Sequence, residues 1–369
     1  MSARGVLVVN TGSTSLRLAV VDGADVLAAE HLAAPEDPAA AIEEFLRHAP
    51  APAAAGHRVV HGGARFRDPA PVDDRLVAAI DELSALAPLH NPPALAAIGA
   101  VARLRPDLPA VACFDTAFHS TLPSAAATYP IPAEWRERWP LRRFGFHGLS
   151  HAWVARRSAE LLGARSDVLR VVSCHLGAGA SLAAIAGGRS VDTTMGFTPL
   201  DGIMMATRAG SIDPGLVLWL IRSGGLAPAE VEDALEQRSG LIALAGNGDM
   251  REVEEAASAG DPGAELALAV YGHRLRAGIA AMAAALGGLD CLAFTGGVGE
   301  SSPGTRAAAV DGLGFLGLAL DPEANADPTP DSVISRPGTA APVVVIQARE
   351  DLEIARETRA ALGRRERLV

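Results

Sequence analysis

The chain has 369 residues, of which 49% are hydrophobic and 20% charged, a composition typical of a folded protein large enough for about two domains. Acidic residues outnumber basic ones by 43 to 32, which gives a formal net charge of −11. A non-specific nucleic-acid-binding protein is disfavoured, because it needs a positive surface. The sequence contains no lysine, which excludes Schiff-base chemistry, pyridoxal phosphate attachment and the lysine of a P-loop.

The cysteines and the apolar runs indicate the cellular setting. Cys113, Cys174 and Cys291 are scattered through apolar segments and match neither a disulfide framework nor a zinc motif, so we expect them in the core. The apolar run at residues 6–9 is too short for a signal peptide, and the run at residues 277–289 is shorter than the ~18 residues of a membrane span. A cytoplasmic protein with no membrane or nucleic-acid partner is expected.

Two hairpin patterns stand out along the chain. Each consists of a strand, a polar turn that contains glycine and a second strand, at residues 5–21 and 170–186. When Asn10 is set against His175, Gly12 falls opposite Gly177. This internal repeat suggests two related halves, and a coincidental similarity between two hairpins is the alternative.

Elsewhere, strand-like runs alternate with stretches whose apolar residues recur at helical spacing. Further strands are predicted at residues 59–60, 110–114, 291–295 and 343–346. Helices are predicted at residues 39–48, 74–86, 149–162, 228–237, 265–286 and 351–362. The segment at residues 321–342 is rich in Pro and Gly and is predicted to be a surface loop. This alternation predicts an α/β fold with helices packed on mostly parallel sheets.

Glycine-rich turns follow several strands of this pattern. They lie around Gly12 and at residues 177–179, 187–188 and 295–300. Glycine lets the backbone approach a phosphate closely and point N–H groups at it. Any one such turn could be an ordinary connection, but four together favour a nucleotide site. They match neither the P-loop pattern nor G-x-G-x-x-G.

A few polar side chains interrupt apolar surroundings and are candidates for chemistry: Arg58, His90, Asp115, His147 and Arg208. A lone buried arginine is costly unless it is paired with an anion or a carboxylate. Each histidine could instead have a structural role, and Asp115 could cap a helix. The chain has neither zinc-ligand spacing nor a G-x-S-x-G motif, so zinc enzymes and serine hydrolases are disfavoured.

At these residues the sequence resembles the acetate kinase family, which includes propionate kinases. Eight blocks follow one another in the family's order, nearly from end to end: NTGSTSLR, GHRVVHGG, APLHNPP, FDTAFH, FGFHGLSH, CHLGAGASL, DTTMGFTPLDGIMMATRAGSIDP and FTGGVGES. The resemblance implies the fold of actin and the sugar kinases (the ASKHA superfamily), in which two duplicated RNase H-like α/β domains surround a nucleotide cleft. We expect one domain at residues 1–117 plus 353–369 and the other at residues 118–352.

The resemblance implies reversible, direct in-line phosphoryl transfer from ATP to acetate, which gives acetyl phosphate and ADP. Arg58 and Arg208 correspond to the family's two active-site arginines, and bidentate guanidinium suits both carboxylate and phosphate. His147 corresponds to the residue that stabilises the transferring phosphoryl group, and Asp115 to the catalytic aspartate. Because a carboxylate substrate is already ionised at pH 7, we expect Asp115 to orient an arginine or the substrate rather than to remove a proton.

The resemblance also implies the binding residues, a homodimer and a requirement for Mg²⁺ or Mn²⁺. The metal would be held by Asn10 and Glu350. The short carboxylate would be bound by Arg58, Val60, Leu89, His90 and Pro199. The nucleotide would be contacted by Arg17, His175, Leu176, Gly177, Ala178, Gly179, Asp249, Met250, Arg251, Gly297, Val298, Gly299, Glu300 and Ser301.

The departures from the family pattern lie on the nucleotide and metal side. Arg17 replaces a lysine, Ala178 and Ser301 each replace an asparagine, and Arg349 places a positive charge beside Glu350. The hypothesis is that activity persists while the nucleotide affinity or the choice of phosphoryl donor has changed. Two other functions stay open, namely a kinase for propionate or another short acid and a nucleotide-binding protein with little catalysis.

Overall fold

The computed structural model describes residues 5–12, 15–33, 35 and 37–366. It divides into two compact units. The first unit holds the described residues of Met1–Ser120, Phe146–Trp153 and Arg349–Val369, and the second holds Thr121–Gly145 and Val154–Ala348.

The first unit is built on a six-stranded sheet with the spatial order β3-β2-β1-β4-β6-β5. Its strands are β1 Val6–Thr11, β2 Ser15–Asp22, β3 Asp25–Ala33, β4 Ala54–Val59, β5 Ala70–Pro71 and β6 Ala110–Phe114. Every residue of β1 is buried because both faces of the sheet are covered. Leu7 and Val9 pack with Ile42 and Phe45 on one face, whereas Val6 and Val8 pack on the other face against the C-terminal helix.

The second unit repeats this topology with the spatial order β9-β8-β7-β10-β12-β11. Its strands are β7 Arg170–Leu176, β8 Ala180–Ala186, β9 Arg189–Thr193, β10 Cys291–Thr295, β11 Ser332–Val333 and β12 Val343–Val345. In each sheet an antiparallel three-stranded meander joins two parallel strands and a short antiparallel edge strand. The α/β class and the duplication are confirmed, but the prediction of mostly parallel sheets is wrong, because both sheets are mixed.

The helices contribute their apolar faces to these sheets. They are α1 Pro38–His48, α2 Asp74–Glu82, α3 Asn91–Leu104, α4 Ser124–Ala127, α5 Ala133–Arg138, α6 Gly148–Leu161, α7 Pro214–Arg222, α8 Pro228–Gln237, α9 Leu241–Ala245, α10 Met250–Ser258, α11 Pro262–Ala285, α12 Gly296–Ser301, α13 Pro303–Val310, α14 Pro322–Ala326 and α15 Glu350–Glu366. Short 3₁₀ turns lie at Leu83–Leu86, Phe118–Thr121 and Gly314–Leu316. Four helices, α1, α7, α11 and α14, begin at an Asp-Pro pair. The aspartate caps the first free N–H groups, and the proline has the backbone angle of a first helical residue.

Several segments differ from the sequence prediction. The segment at residues 321–342 is not a plain surface loop, since it contains α14 and β11, and Ile334 and Ala341 within it are fully buried. Strand β3 was not predicted, because it is an edge strand whose side chains are mostly exposed and so lack the apolar pattern of a buried strand. Strand β4 is longer than the two residues predicted for it. Among the described helices of eight residues or more, α3, α7, α10 and α13 were not predicted.

The predicted core positions of the cysteines are confirmed, since Cys113, Cys174 and Cys291 are buried free thiols. Within the described ranges, none of the helices combines the length and the apolar character needed to cross a membrane.

Candidate active site

Four polar side chains meet at one edge of the first unit's sheet. Asn10 lies near the end of β1, Arg58 in β4 and Asp115 directly after β6, while Glu350 opens α15. Arg58 Nε and Nη2 donate to Asp115 Oδ2 at 3.1 and 2.7 Å, and Arg58 Nη1 donates to Asn10 Oδ1 at 3.1 Å. Asn10 Nδ2 donates to Glu350 Oε2 at 2.8 Å, and Arg58 Nη1 lies 3.7 Å from the same oxygen. The carboxyl ends of three parallel strands therefore gather residues that are far apart in sequence.

The charges of this cluster are largely withdrawn from water. The Asp115 side chain is 1% exposed and that of Arg58 14%. Burial raises the pKa of the Asp115 carboxyl, and the charge and hydrogen bonds of Arg58 oppose that rise. Burial also disfavours the charged form of Arg58, but Asp115 and Glu350 more than offset it and raise the pKa of Arg58. Arg58 is thus a permanent cation whose orientation Asp115 fixes.

The segment around His147 packs against the backbone at Asp115. His147 has a φ of 54°, a left-handed conformation that is uncommon for a residue with a side chain. Helix α6 begins at the next residue, Gly148, where an added Cβ would overlap the Asp115 carbonyl oxygen. The backbone of His147 also makes a hydrogen bond that lowers the pKa of Asp115. Strained backbone of this kind is concentrated at functional sites.

Two of the segments predicted to bind the acyl group are tied together. Asn91, fully buried, accepts from the backbone N–H of His61 at 3.2 Å and donates to the His61 carbonyl at 3.1 Å. This clamp joins the segment of Val60 to that of Leu89 and His90. Val60 is buried, whereas Leu89 is 43% exposed. Sequence reasoning did not single out Asn91, because an asparagine before two prolines also fits an ordinary turn.

In the second unit, two glycine turns follow the parallel neighbours β7 and β10. The first closes the β7–β8 hairpin, with Gly177 N–H donating to the Gly179 carbonyl at 3.0 Å. Gly296 has a φ of 81°, and a Cβ there would lie 2.7 Å from the Leu176 carbonyl oxygen. Only glycine therefore allows the second turn to approach the first. The two turns, predicted separately as phosphate-binding elements, come together in one unit.

Two charged side chains hold the second turn in place. Glu300 Oε1 accepts from the backbone N–H groups of Gly296 at 3.0 Å and Ala348 at 2.9 Å. The fully buried Arg306 donates to the carbonyls of Gly299 at 2.9 Å and Glu300 at 2.8 Å. Burial lowers the pKa of Arg306. Glu300 and Arg306 therefore stabilise the conformation of the turn by binding its backbone. Arg306 lies in a helix and was not recognised from the sequence.

Beside these turns lies a cavity of about 360 Å³, within the size range of small-molecule sites. Eight of the residues that line it were predicted to contact the nucleotide: Gly177, Ala178, Asp249, Met250, Arg251, Gly297, Val298 and Ser301. Five other predicted residues of this unit do not line it: His175, Leu176, Gly179, Gly299 and Glu300. Four residues that were not predicted do line it: Leu241, Gly248, Tyr271 and Ser302.

The remaining predicted residues are divided between the units. Arg17, exposed in β2, pairs with Asn10 in the register of the first sheet. Pro199 and Arg208 lie in the second unit, in the segment between β9 and α7, and both are half-buried. Arg208 Nη1 lies 3.9 Å from the Met205 sulfur, and burial lowers the pKa of Arg208, an effect that Glu236 opposes. Within the described ranges Arg208 has no carboxylate within ion-pair distance, which suits a residue whose partner is an anionic ligand.

The metal prediction rests on Asn10 and Glu350, which are in contact. Their amide and carboxylate oxygens are the hard donors that Mg²⁺ prefers, and Mg²⁺ in phosphate-transfer sites takes only one or two carboxylates and completes its shell with phosphate and water. The donor set therefore fits this ion. Over the described ranges no group of three or more His, Cys, Asp or Glu side chains could hold a metal.

Comparison with known proteins assigns the family. A model of the Acetokinase family matches residues 43–356. The chain belongs to the acetate kinase family.

Individual relatives agree with this assignment. The chain is 50% identical to the acetate kinase of Gloeobacter violaceus over 304 residues, which cover 82% of this chain and 75% of that protein. It is 46% identical to the acetate kinase of Thermotoga maritima over 310 residues, covering 83% of this chain and 77% of that one.

Among solved structures, the fold is similar to the acetate kinase of Porphyromonas gingivalis, with a TM-score of 0.90, 34% identity, and coverage of 98% of this chain and 100% of that one. It is also similar to a propionate kinase from Francisella tularensis, with a TM-score of 0.89, 34% identity, and coverage of 96% and 99%.

Proposed function

We propose that this chain is an acetate kinase that transfers a phosphoryl group reversibly between ATP and acetate. The observation that carries the proposal is the buried cluster of Asn10, Arg58, Asp115 and Glu350, joined by hydrogen bonds of 2.7–3.1 Å in a chain of the acetate kinase family. A protein that only binds nucleotides has no need of an oriented, buried arginine. The weakly catalytic alternative is therefore disfavoured.

The chemistry follows from the charges. A carboxylate oxygen of acetate attacks the γ-phosphorus, the bond to the β–γ bridging oxygen breaks, and ADP leaves with the electron pair. Both reactants are anions, so the main obstacle is charge repulsion, and catalysis depends on positioning and on neutralising the phosphoryl oxygens. Arg58, held by Asp115, would bind the acetate carboxylate, and Arg208 and His147 would stabilise the transferring group. Asp115 acts as a positioning residue, because no proton has to be removed.

Mg²⁺, or Mn²⁺ in its place, would be held by Asn10 and Glu350 and would neutralise charge on the donor phosphates. The glycine turns near Gly177 and Gly297 would receive the phosphates of ATP on backbone N–H groups. The adjoining cavity, with Asp249 to Arg251 on its wall, would take the nucleoside. The glycine turns and the adjoining cavity, which lie in the same unit, support a nucleotide as the donor.

The acyl group would lie among Val60, Leu89, His90 and Pro199. A small apolar pocket distinguishes one methylene group by only about 1–3 kcal/mol. A propionate kinase therefore remains the second candidate, and the similarity to the propionate kinase of Francisella tularensis favours testing it directly.

We further propose that the two units are the two domains of the fold and that the protein is a cytoplasmic homodimer. The common strand order of the two sheets supports the domain assignment. Helix α7 exposes Leu216, Leu218 and Trp219 by 47–58%, and several large apolar side chains exposed on one helix favour contact with a second copy. Three buried free thiols suit a reducing compartment.

The test is ADP release in the presence of Mg·ATP, measured with acetate, propionate, butyrate and no acid, with hydroxylamine trapping the acyl phosphate. We expect acid-dependent turnover and a trapped acetyl group, with acetate giving the highest kcat/KM. No acid-dependent turnover, even with GTP or pyrophosphate as donor, would refute the kinase proposal. A higher kcat/KM for propionate would move the assignment to the second candidate.

An Arg208→Ala variant separates catalysis from binding. We expect kcat to fall by about 10²-fold or more, because a guanidinium that stabilises transition-state charge is lost, while ADP affinity changes by less than tenfold. Equal losses of turnover and ADP affinity would contradict the catalytic role of Arg208.

A further inference from the structure

The peptide group that joins Phe146 to His147 is bound by a buried side chain at each of its polar atoms. His119 Nε2 lies 3.0 Å from the Phe146 carbonyl oxygen. A carbonyl oxygen can only accept a hydrogen bond, so His119 carries its proton on Nε2 and donates it. The backbone of His147 makes a hydrogen bond to Asp115 that lowers the pKa of that carboxyl, and the donor is the N–H, since a backbone has no other. Both the C=O and the N–H of this one peptide group are therefore held.

The environment of His119 suits a fixed, neutral donor. His119 lies in the 3₁₀ turn Phe118–Thr121 and is fully buried. Its ring packs edge-on against the rings of Phe118 and His151, at 5.4 and 5.7 Å between centroids. Burial lowers the pKa of His119 to about 4, an effect that the hydrogen bond to Phe146 opposes. His119 is therefore uncharged at neutral pH, and the neighbouring rings restrict its rotation.

The same peptide group sets the direction of the His147 side chain. Its rotation changes the φ of His147, which is 54° and lies in the left-handed region that a residue with a Cβ rarely adopts. Such a conformation persists only where the surrounding structure enforces it. On the far side of His147, Gly148 is fixed by its close approach to the Asp115 carbonyl oxygen. The hydrogen bond from His119 supplies the restraint on the near side.

We propose that His119 is a positioning residue for phosphoryl transfer, which holds the peptide group before His147 so that the His147 imidazole points at the transferring group. The proposal rests on the proposed function, in which His147 stabilises that group. Because His119 is fully buried, it touches no substrate and acts only through His147. Asp115 shares this task, since its carboxylate binds both the guanidinium of Arg58 and the backbone of His147.

Two variants separate the hydrogen bond of His119 from its bulk. His119→Phe keeps a buried ring without a donor, whereas His119→Gln places an amide N–H near the position of Nε2. We expect the kcat of His119→Phe to fall about 10- to 100-fold, because a small displacement of a catalytic group can cost that much. The KM values for ATP and acetate stay the same, since His147 acts on the transferring group in the transition state, and His119→Gln recovers most of the lost kcat. If His119 only filled the core, His119→Phe would be the more active variant.

His57 provides a matched control, because it is a buried histidine of the same unit without such a bond. It is 1% exposed, burial lowers its pKa to about 4, and neither ring nitrogen has a hydrogen-bond partner among the described residues. His57 precedes Arg58 in β4, and consecutive side chains of a strand point to opposite faces of the sheet. We expect His57→Phe to leave kcat unchanged, although it makes the same substitution in an equally buried place.

Nuclear magnetic resonance of the protein labelled with ¹³C-histidine gives a readout that needs no turnover. In the wild type we expect His119 as the Nε2–H tautomer, unchanged between about pH 6 and 8 because its pKa is lower. The His147 signals shift in His119→Phe and return in His119→Gln. The Nδ1–H tautomer of His119, which is read without any variant, overturns the proposal, as do unshifted His147 signals or an unchanged kcat in His119→Phe. A wild type with the expected signals that forms no acyl phosphate refutes only the kinase proposal.

Discussion

The pairing of Arg58 with Asp115 allows a quantitative test, because the chain contains a second Arg–Asp pair of similar geometry in a different environment. Arg105 Nε and Nη2 donate to Asp107 at 2.9 and 2.7 Å, nearly the distances of the Arg58–Asp115 pair. The Asp107 side chain is 63% exposed, however, compared with 1% for Asp115. The two pairs lie in the same unit. They differ in their exposure to water, and Arg58 also contacts Asn10 and Glu350.

We expect Asp115→Ala to lower the free energy of unfolding by about 3–5 kcal/mol, because it leaves a buried guanidinium without its main counter-charge. Asp107→Ala changes the free energy of unfolding little, because water and salt screen an exposed pair. Asp115→Asn keeps an acceptor for the guanidinium and should fall between them. The assay is urea unfolding followed by circular dichroism, with the slope of each transition checked against the wild type.

Activity adds a second readout to this comparison. Since Asp115 orients Arg58 and does not act as a base, Asp115→Asn retains measurable kcat, with the main loss in the KM for acetate. Equal destabilisation by Asp115→Ala and Asp107→Ala would refute the argument from burial. A wild-type kcat that falls at low pH, with a titration that Asp115→Asn lacks and a loss of kcat in that variant at every pH, would indicate base catalysis instead.

Three further predictions concern other parts of the molecule. Burial raises the pKa of Glu357 to about 8, so between about pH 4.5 and 8 the folded state holds a proton that the unfolded state has lost. The free energy of unfolding therefore falls with rising pH in this range, by about 1.4 kcal/mol per pH unit. Glu357→Gln should flatten that slope when unfolding is measured as a function of pH. Gly148→Ala should displace the Asp115 backbone and abolish turnover under conditions in which the variant is still folded. A kcat equal to that of the wild type would contradict the close contact between Gly148 and the Asp115 carbonyl. Ala178→Asn with Ser301→Asn should lower the KM for ATP, and an unchanged KM would count against the inferred loss of nucleotide contacts.

The sequence allowed many residues of the candidate site to be predicted, but not the contacts between them. Arg58 and Asp115 are 57 positions apart, and their bond depends on β4 and β6 being parallel neighbours, which local sequence does not encode. Glu300 was expected at the nucleotide, but its carboxylate is engaged with the backbone of the turn. Tyr271 and Arg306 could not be recognised, because a tyrosine or an arginine in a helix gives no local sign of being buried.

The same limit applies to the fold. The two hairpins could be predicted because glycines recur at matching positions of their turns. Gly12 directly follows β1 and Gly177 directly follows β7, and each of these is the first strand of its sheet along the chain. Strand β3 shows little alternation because one edge of the sheet is exposed to water. The short strand β11 exists only through its bonds to β12, so its Pro- and Gly-rich surroundings predicted a loop.

The buried thiols and the absence of lysine have a consequence for a protein that makes an acyl phosphate. Such a product is an acylating agent that modifies free amines and thiolates. This chain has no lysine side chain, and burial raises the pKa of Cys113, Cys174 and Cys291, which keeps them protonated and out of reach. Every cationic side chain that could meet the product is a guanidinium or an imidazole, and guanidinium is a poor nucleophile because it stays protonated. The side chains that acyl phosphates most readily modify are thus missing from its surface, and its turnover would not be limited by acylation of its own lysines.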